Sequence, residues 1–262
     1  MENLTQKIRR RAGWMLREVA SSAGRHHNVL FEGKYTVKLC LHSGKSTRII
    51  EREAHDLFVS WLRPGIRVLD LGANMGRYSL YAACATSRQC RVLAVEAEPM
   101  TFHVLVRNLE LNSLLHVVAP RHCAVWDGAD TLDFFPARDG RSSAGASWSG
   151  MLVDPPCKVE ALPADEICRQ SDFLPDIVKM DIEGAECRAL RGMSRVLREA
   201  RPKLLLELHP AAISEIGGSI AEVDSILRAL GYRWLDLASN PIADLASYAE
   251  EHKMVQAVPL PG

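Results

Sequence analysis

The chain carries no excess of charge of either sign: 32 lysines and arginines face 32 aspartates and glutamates. That leaves no electrostatic case for nucleic acid as a general partner, which would need a basic face. There is no apolar run near the roughly 18 residues of a membrane span. The N-terminus is basic, with Lys7, Arg9, Arg10, Arg11 and Arg17, but it lacks the apolar stretch of a signal peptide. Cysteines stand at 40, 84, 90, 123, 157, 168 and 187, an odd number without C-x-x-C or zinc-like spacing. They read as reduced thiols of a cytoplasmic protein, used as small apolar side chains. No repeat or low-complexity tract is present. At 262 residues the chain is one large domain, or one domain with an appendage.

The dinucleotide fingerprint is missing as well, and the way it is missing is informative. The aliphatic run from Arg67 to Leu71 leads into Asp70-Leu71-Gly72-Ala73-Asn74-Met75-Gly76, and a helical pattern follows. In G-x-G-x-x-G counted from Gly72, the second and third glycines fall on Asn74 and Arg77. Strand, tight turn and helix still build a ligand crevice at the carboxyl end of a parallel strand. Gly72 and Gly76 are expected to let the backbone turn and come close to a ligand. Asp70 would repel a pyrophosphate but suits the ammonium of an amino-acid tail. Glu96 ends the next apolar run, Arg91 to Val95, where a carboxylate accepts from both ribose hydroxyls. A nucleoside with a charged tail, such as S-adenosylmethionine, fits both acids.

Residues 1–28 read as a basic helix, a lid or docking element in preference to a membrane-surface helix. Residues 29–50 suggest a small hairpin, and 51–62 a helix stopped by Pro64-Gly65. The boundary is therefore set between an N-terminal cap, 1–50, and a main domain, 51–262. Strands at 67–71, 91–96 and 117–126 alternate with helices at 76–87 and 99–112. After an irregular Gly- and Ser-rich stretch at 127–158 come a helix at 163–170 and a strand at 176–181. A helix at 184–199, a strand at 202–208 and a helix at 219–230 follow, then strands at 232–237 and 253–258 as a closing hairpin. The alternation predicts an α/β fold, a doubly wound, mostly parallel sheet with an antiparallel C-terminal strand. The loop at 127–158 is expected to close over the acceptor.

A second polar segment, Val178-Lys179-Met180-Asp181-Ile182-Glu183-Gly184-Ala185-Glu186, ends a central strand. With period 2, Lys179 and Asp181 share one face. A lysine in a strand buried on both sides must find a carboxylate. Glu183 and Glu186 have a plainer reading, as favourable charges at a helix N-terminus. The next strand also turns polar at its end, with Glu207 and His209 on one face before Pro210.

Together, Val68–Gly76, Glu96 to Pro99 with Asn108 and Asn112, Val178–Glu186 and Glu207-Leu208-His209 resemble the FkbM-type S-adenosylmethionine-dependent methyltransferases over about residues 50–258. The resemblance implies a class I methyltransferase (Rossmann-like) fold whose seven strands lie in the order 3-2-1-4-5-7-6. It implies O-methylation of a saccharide or a secondary-metabolite hydroxyl. By it Asp70, Gly72, Asn74 and Gly76 hold the methionine part of the cofactor, and Glu96 the ribose. Ala124 and Val125, closing the third strand, lie by the adenine. Glu98 departs from the commoner Glu-Pro pattern, and residues 1–50 match no family motif. A hydroxyl acceptor must lose a proton, so Asp181 or His209 is the expected base, with Lys179 holding the charges in place. A divalent metal bridging Asp181 and Glu207 is a disfavoured variant. A non-catalytic S-adenosylmethionine-binding or interaction domain is the alternative class.

Overall fold

The β-branched and aliphatic runs become strands buried on both faces, which is what a parallel sheet under two helical layers demands. The computed structural model describes residues 26–31, 34–40, 52–135 and 156–261. Two strands, β1 (His26–Phe31) and β2 (Tyr35–Cys40), form an antiparallel hairpin. The main unit begins with α1 (Arg52–Trp61), β3 (Ile66–Leu71), α2 (Arg77–Ala85), β4 (Cys90–Glu96), α3 (Pro99–Leu111) and β5 (Val118–His122). Then come β6 (Ala124–Trp126), β7 (Asp130–Phe134), β8 (Cys157–Pro163), α4 (Ala164–Gln170) and β9 (Ile177–Met180). The rest is α5 (Glu186–Arg191), α6 (Ser194–Glu199), β10 (Lys203–Leu208), α7 (Pro210–Glu215), α8 (Ile220–Ala229), β11 (Tyr232–Leu235), α9 (Leu245–Tyr248) and β12 (Lys253–Pro259).

Seven strands join in the order β11-β12-β10-β9-β3-β4-β5, with β12 antiparallel to both neighbours and the other pairs parallel. This is the order expected for a class I methyltransferase sheet. As that order requires, the antiparallel strand β12 is second from the edge, and β11 lies outside it. The strand order reverses between β3 and β9, and in doubly wound sheets the ligand crevice opens at the carboxyl ends on such a switch point.

Alternation decides which face each polar strand end occupies. Ile66 and Val68 of β3, Val92 and Ala94 of β4, Ile177 of β9 and Leu205 of β10 pack in the cluster formed with α1, α2 and α3. Leu69, Leu71, Leu93, Val95, Val178, Met180, Leu204 and Leu206 pack in the opposite cluster, with α4 to α8. Counting by twos puts Asp70, Glu96, Lys179 and Glu207 all on the α1–α3 face.

Four expectations are corrected. The strand expected at 117–126 is two strands: Cys123 donates its N–H back to the Glu96 carbonyl, and the chain then leaves the large sheet. Ala124 and Val125 therefore do not close the third strand but pair with β8 in a separate sheet, β6-β8-β7. The helix expected at 184–199 breaks at Gly192, where a Cβ would run into the Trp126 carbonyl. Asp165 caps the new start by accepting from Arg195 and Val196 N–H groups at 2.8 and 2.9 Å. Within 127–158, expected to be irregular, residues 130–134 form β7 and the last two begin β8. The rest of the stretch expected to close over the acceptor, 136–155, lies outside the described residues, as do 1–25 of the basic segment; 26–28 are strand, not helix.

The hairpin shares its core with the main unit through Val29, Phe31, Val37 and Leu39. Asn108 and Asn112 of α3's end hold it. Asn108 Oδ1 accepts from Cys40 N–H at 2.8 Å, and its Nδ2 donates to the Met75 carbonyl at 2.9 Å. Asn112 bonds both polar backbone groups of Lys38. One buried amide thus ties the hairpin to the glycine turn.

Candidate active site

The turn after β3 uses three left-handed residues, Gly72 (φ 73°), Asn74 (φ 51°) and Gly76 (φ 89°). The positive φ values fit the expected turn, and the packing adds a further reason for glycine. A Cβ on Gly72 would strike the Asp181 carbonyl of the neighbouring strand end, and one on Gly76 would lie 2.6 Å from Leu105 Cδ1. The close approach is to the protein itself, and it is what draws the ends of β3 and β9 together.

Glu96 closes this turn from β4. Its Oε2 accepts from Asn74 N–H at 2.8 Å and its Oε1 from Glu98 N–H at 2.7 Å. It is 8% exposed, and burial, only partly offset by those two donors, pushes its carboxyl up to about 7. Glu98 caps α3, accepting from Met100 and Thr101 N–H groups, which gives the departing acid a structural role. Asp70 is fully buried beneath the turn. Its Oδ2 accepts from Ser79 Oγ at 2.6 Å, while Oδ1 has no hydrogen-bond partner among the described residues. Burial raises its pKa against the pull of Lys179.

Lys179 finds the carboxylate its burial requires. Nζ donates to Asp181 Oδ2 and to the Gly72 carbonyl, both at 3.2 Å, and lies 5.2 Å from the centre of the Tyr78 ring. Burial opposes its charge, but Asp181 and Asp70 outweigh that and raise its pKa above the usual lysine value. It is a fixed cation between the two strand ends. Asp181 keeps 30% of its side chain exposed, facing the crevice rim.

His209, at the end of β10, is surrounded by carboxylates. Its Nδ1 lies 2.9 Å from Glu186 Oε1, and its Nε2 lies 3.5 Å from Glu183 Oε2 and 3.6 Å from Glu207 Oε1. Burial disfavours its charge, yet the bonds to Glu186 and Glu207 prevail and push it up to about 11. Glu186 does open α5, but its fully buried carboxylate turns back to the imidazole and to Gly184 N–H. His252 completes the group. Its Nε2 is 3.1 Å from Glu207 Oε1, and its ring stacks on His209 at 5.8 Å and 7°. The β10–β12 register explains this: Leu208 pairs with Lys253, so the next step outward faces His209 with His252. One ligand atom each of Asp181, Glu207 and His209 lies within 4.8 Å of the others, a set able to hold a metal ion.

Sequence reasoning missed Ser79, Tyr78 and His252, and undervalued Glu186. Only the spacing Asp70–Ser79, nine residues from strand end to helix face, carried any signal. Ala124 and Val125 are buried; Ala124 packs in a small cluster that includes Ala97, the residue after Glu96.

With this geometry in place, the relatives can be compared. The model of the methyltransferase FkbM domain matches residues 70–234. The chain belongs to the FkbM methyltransferase family. Its matched span runs from Asp70 at the glycine turn to Trp234 in β11, so it contains every polar strand end described above except His252. Among its relatives is the methyltransferase sdnD of Sordaria araneosa, 30% identical over 48% of this chain and 60% of that protein. The hexuronic acid methyltransferase AglP of Haloferax volcanii is 24% identical over 74% of each chain. The 31-O-demethyl-FK506 methyltransferase FkbM of Streptomyces tacrolimicus is 26% identical over 65% of this chain and 74% of its own. The crystal structure of an FkbM methyltransferase from Methylobacillus flagellatus aligns with TM-score 0.49 and 18% identity, over 75% of this chain and 44% of that one. The described residues contain no helix long and apolar enough to cross a membrane.

Proposed function

We propose that this family member transfers a methyl group from S-adenosylmethionine to a hydroxyl of a saccharide or secondary metabolite. The observation that carries the reading is the convergence of Asp70, Glu96, Lys179 and Glu207 on one face of the sheet, at the carboxyl ends on either side of the switch point. The donor set fits the cofactor. Glu96 is anchored by two backbone donors and offers a carboxylate at the rim for a ribose diol. The orphaned Oδ1 of Asp70 offers an acceptor for an ammonium next to Gly72, Asn74 and Gly76. Ala124, packed with Ala97, supplies apolar surface for the adenine, while Val125 beside it packs into the large core cluster. Among its relatives, one acts on a hexuronic acid and another on 31-O-demethyl-FK506.

When bound, the cofactor supplies a methyl group on a sulfonium, and its in-line displacement asks the protein mainly for alignment. The acceptor hydroxyl must give up a proton to a positioned group. Asp181 is that group. Its carboxylate reaches the rim, and Lys179 fixes its direction. Both nitrogens of His209 face carboxylates, so the imidazole is a donor on both sides and positions Glu183 and Glu207 instead of accepting the proton. The test is a metabolite extract incubated with the protein and methyl-labelled cofactor, read by mass spectrometry. Labelled product lost in Asp181→Asn is the expected result; no transfer to any extract component, from protein that binds S-adenosylhomocysteine, would refute the enzymatic reading.

A further inference from the structure

Five ionisable side chains crowd the rim beyond the cofactor crevice: Asp181, Glu183, Glu207, His209 and His252. Asp181 and Glu183 follow β9, Glu207 and His209 come from the end of β10, and His252 precedes β12, so three separate segments deliver them. Lys179, the one ammonium in contact among the described residues, is already shared between Asp181 and Asp70. Behind them Glu186 is fully buried, and its Oε2 has no hydrogen-bond partner among the described residues. A buried carboxylate left half satisfied, beside three more acids, marks a place short of positive charge.

We propose that Asp181, Glu207 and His209 bind one divalent cation. Their ligand atoms lie within 4.8 Å of one another. Around a six-coordinate ion with ligand distances of roughly 2.1–2.3 Å, adjacent ligands stand about 3.1 Å apart. His209 Nε2 and Glu207 Oε1, at 3.6 Å, are near that spacing, and Asp181 closes on them by a side-chain rotation. The imidazole is oriented for ligation, and the ion takes the place of the proton that Nε2 carries toward the carboxylates in the ion-free chain. Glu186 holds Nδ1 at 2.9 Å from one side, which turns Nε2 toward the Glu207 and Glu183 carboxylates. A carboxylate behind the far nitrogen is how ligating histidines are commonly fixed. Two carboxylates and one imidazole suit Mn²⁺ or a neighbouring first-row ion better than an all-oxygen Mg²⁺ site.

Three protein ligands leave positions of a six-coordinate ion open toward the rim, where Asp181 is exposed. Two adjacent oxygens of one molecule, as in a vicinal diol or a hydroxy acid, fill neighbouring positions. This acceptor class rests on the methyl-transfer reading above; the ion site itself rests on the side chains alone.

The experiment is Mn²⁺ titration of the full chain, stripped with chelator and desalted, followed by the spin-resonance signal of free Mn²⁺ and by calorimetry. S-adenosylhomocysteine binding and circular dichroism are measured on the same samples. One saturable Mn²⁺ per chain, tighter than millimolar, is expected. Asp181→Asn and His209→Ala should each weaken it at least tenfold, and Glu186→Gln by about 10–100-fold through the lost orientation. Wild-type protein that is folded and binds S-adenosylhomocysteine but shows no saturable Mn²⁺ overturns the ion site and leaves the transferase reading intact. Unchanged Mn²⁺ affinity in a folded Asp181→Asn variant overturns it equally. Mn²⁺ bound without S-adenosylhomocysteine would retain the ion site and sink the cofactor assignment.

Discussion

Glu96 should make cofactor affinity depend on pH in a direction opposite to its effect on stability. Burial pushes its carboxyl up to about 7, from the ordinary glutamate value of 4.5. The folded chain therefore holds this proton more tightly than the unfolded chain. Stability from this group is fully present below the unfolded pKa and is lost as pH rises through 7. The difference corresponds to about 3 kcal/mol at pH 8. Cofactor binding runs the other way, because the ribose hydroxyls need the ionised acceptor. Affinity for S-adenosylhomocysteine should be highest above pH 8 and fall below 7, by up to about tenfold per unit. In Glu96→Gln the acidic dependence disappears. The variant loses a charge-assisted pair of bonds worth roughly 1.5–3 kcal/mol, or about ten- to hundredfold in affinity. Its own stability at pH 8 changes by no more than about 2 kcal/mol. The buried charge is gone, but an amide now meets one of the two N–H groups of Asn74 and Glu98 at a cost of about 1–3 kcal/mol. Calorimetry from pH 5.5 to 8.5 on both proteins, with urea unfolding alongside, reads all three effects. A wild-type affinity flat across pH 7, or equal affinities for the two proteins at pH 8, would refute the ribose assignment.

Asp181→Asn should lower turnover about 10²–10⁴-fold while S-adenosylhomocysteine affinity stays within a fewfold, since the loss is of a positioned base; steady-state kinetics beside calorimetry checks it. Lys179→Met leaves Asp70 and Asp181 without their shared cation, and removing one partner of a buried pair costs about 3–5 kcal/mol, to be read as a lower urea midpoint. A midpoint shift below 1 kcal/mol would mean that the pair is solvated. Gly72→Ala places a methyl against the Asp181 carbonyl at φ 73° and should depress both the melting temperature and the turnover. Normal values for both would show that the two strand ends separate freely.

The parallel sheet was legible because its strands announce themselves. Ile66–Leu71, Cys90–Glu96, Ile177–Met180 and Lys203–Leu208 are short, aliphatic and each followed by a turn or a polar end. Their inward and outward sets also follow from period 2, so placing Lys179 with Asp181 and Glu207 with His209 required only counting. What counting misses is where the chain changes partner. Nothing in Val118 to Trp126 marks Cys123 as the bend, since its cause is a hydrogen bond to the carbonyl of Glu96, 27 residues earlier. Gly192 gives the same lesson: a glycine inside a helical pattern reads as a weak helix residue until Trp126 is found against it.

The sequence by itself determined the layered α/β class, the acids at the strand ends Asp70 and Glu96, and the list of the other polar strand ends, because these depend on local periodicity and on residue chemistry. Only the tertiary structure decided which of those groups meet. The β3–β9 register sets Asp70 beside Lys179, and the β10–β12 register brings His252 over His209. Glu186 changed from a helix-end charge into the support of an imidazole because the first residue of α5 meets His209, which follows β10, at 2.9 Å. Such pairings depend on distances across the sheet, between residues as much as 109 apart along the chain, and no local pattern encodes them.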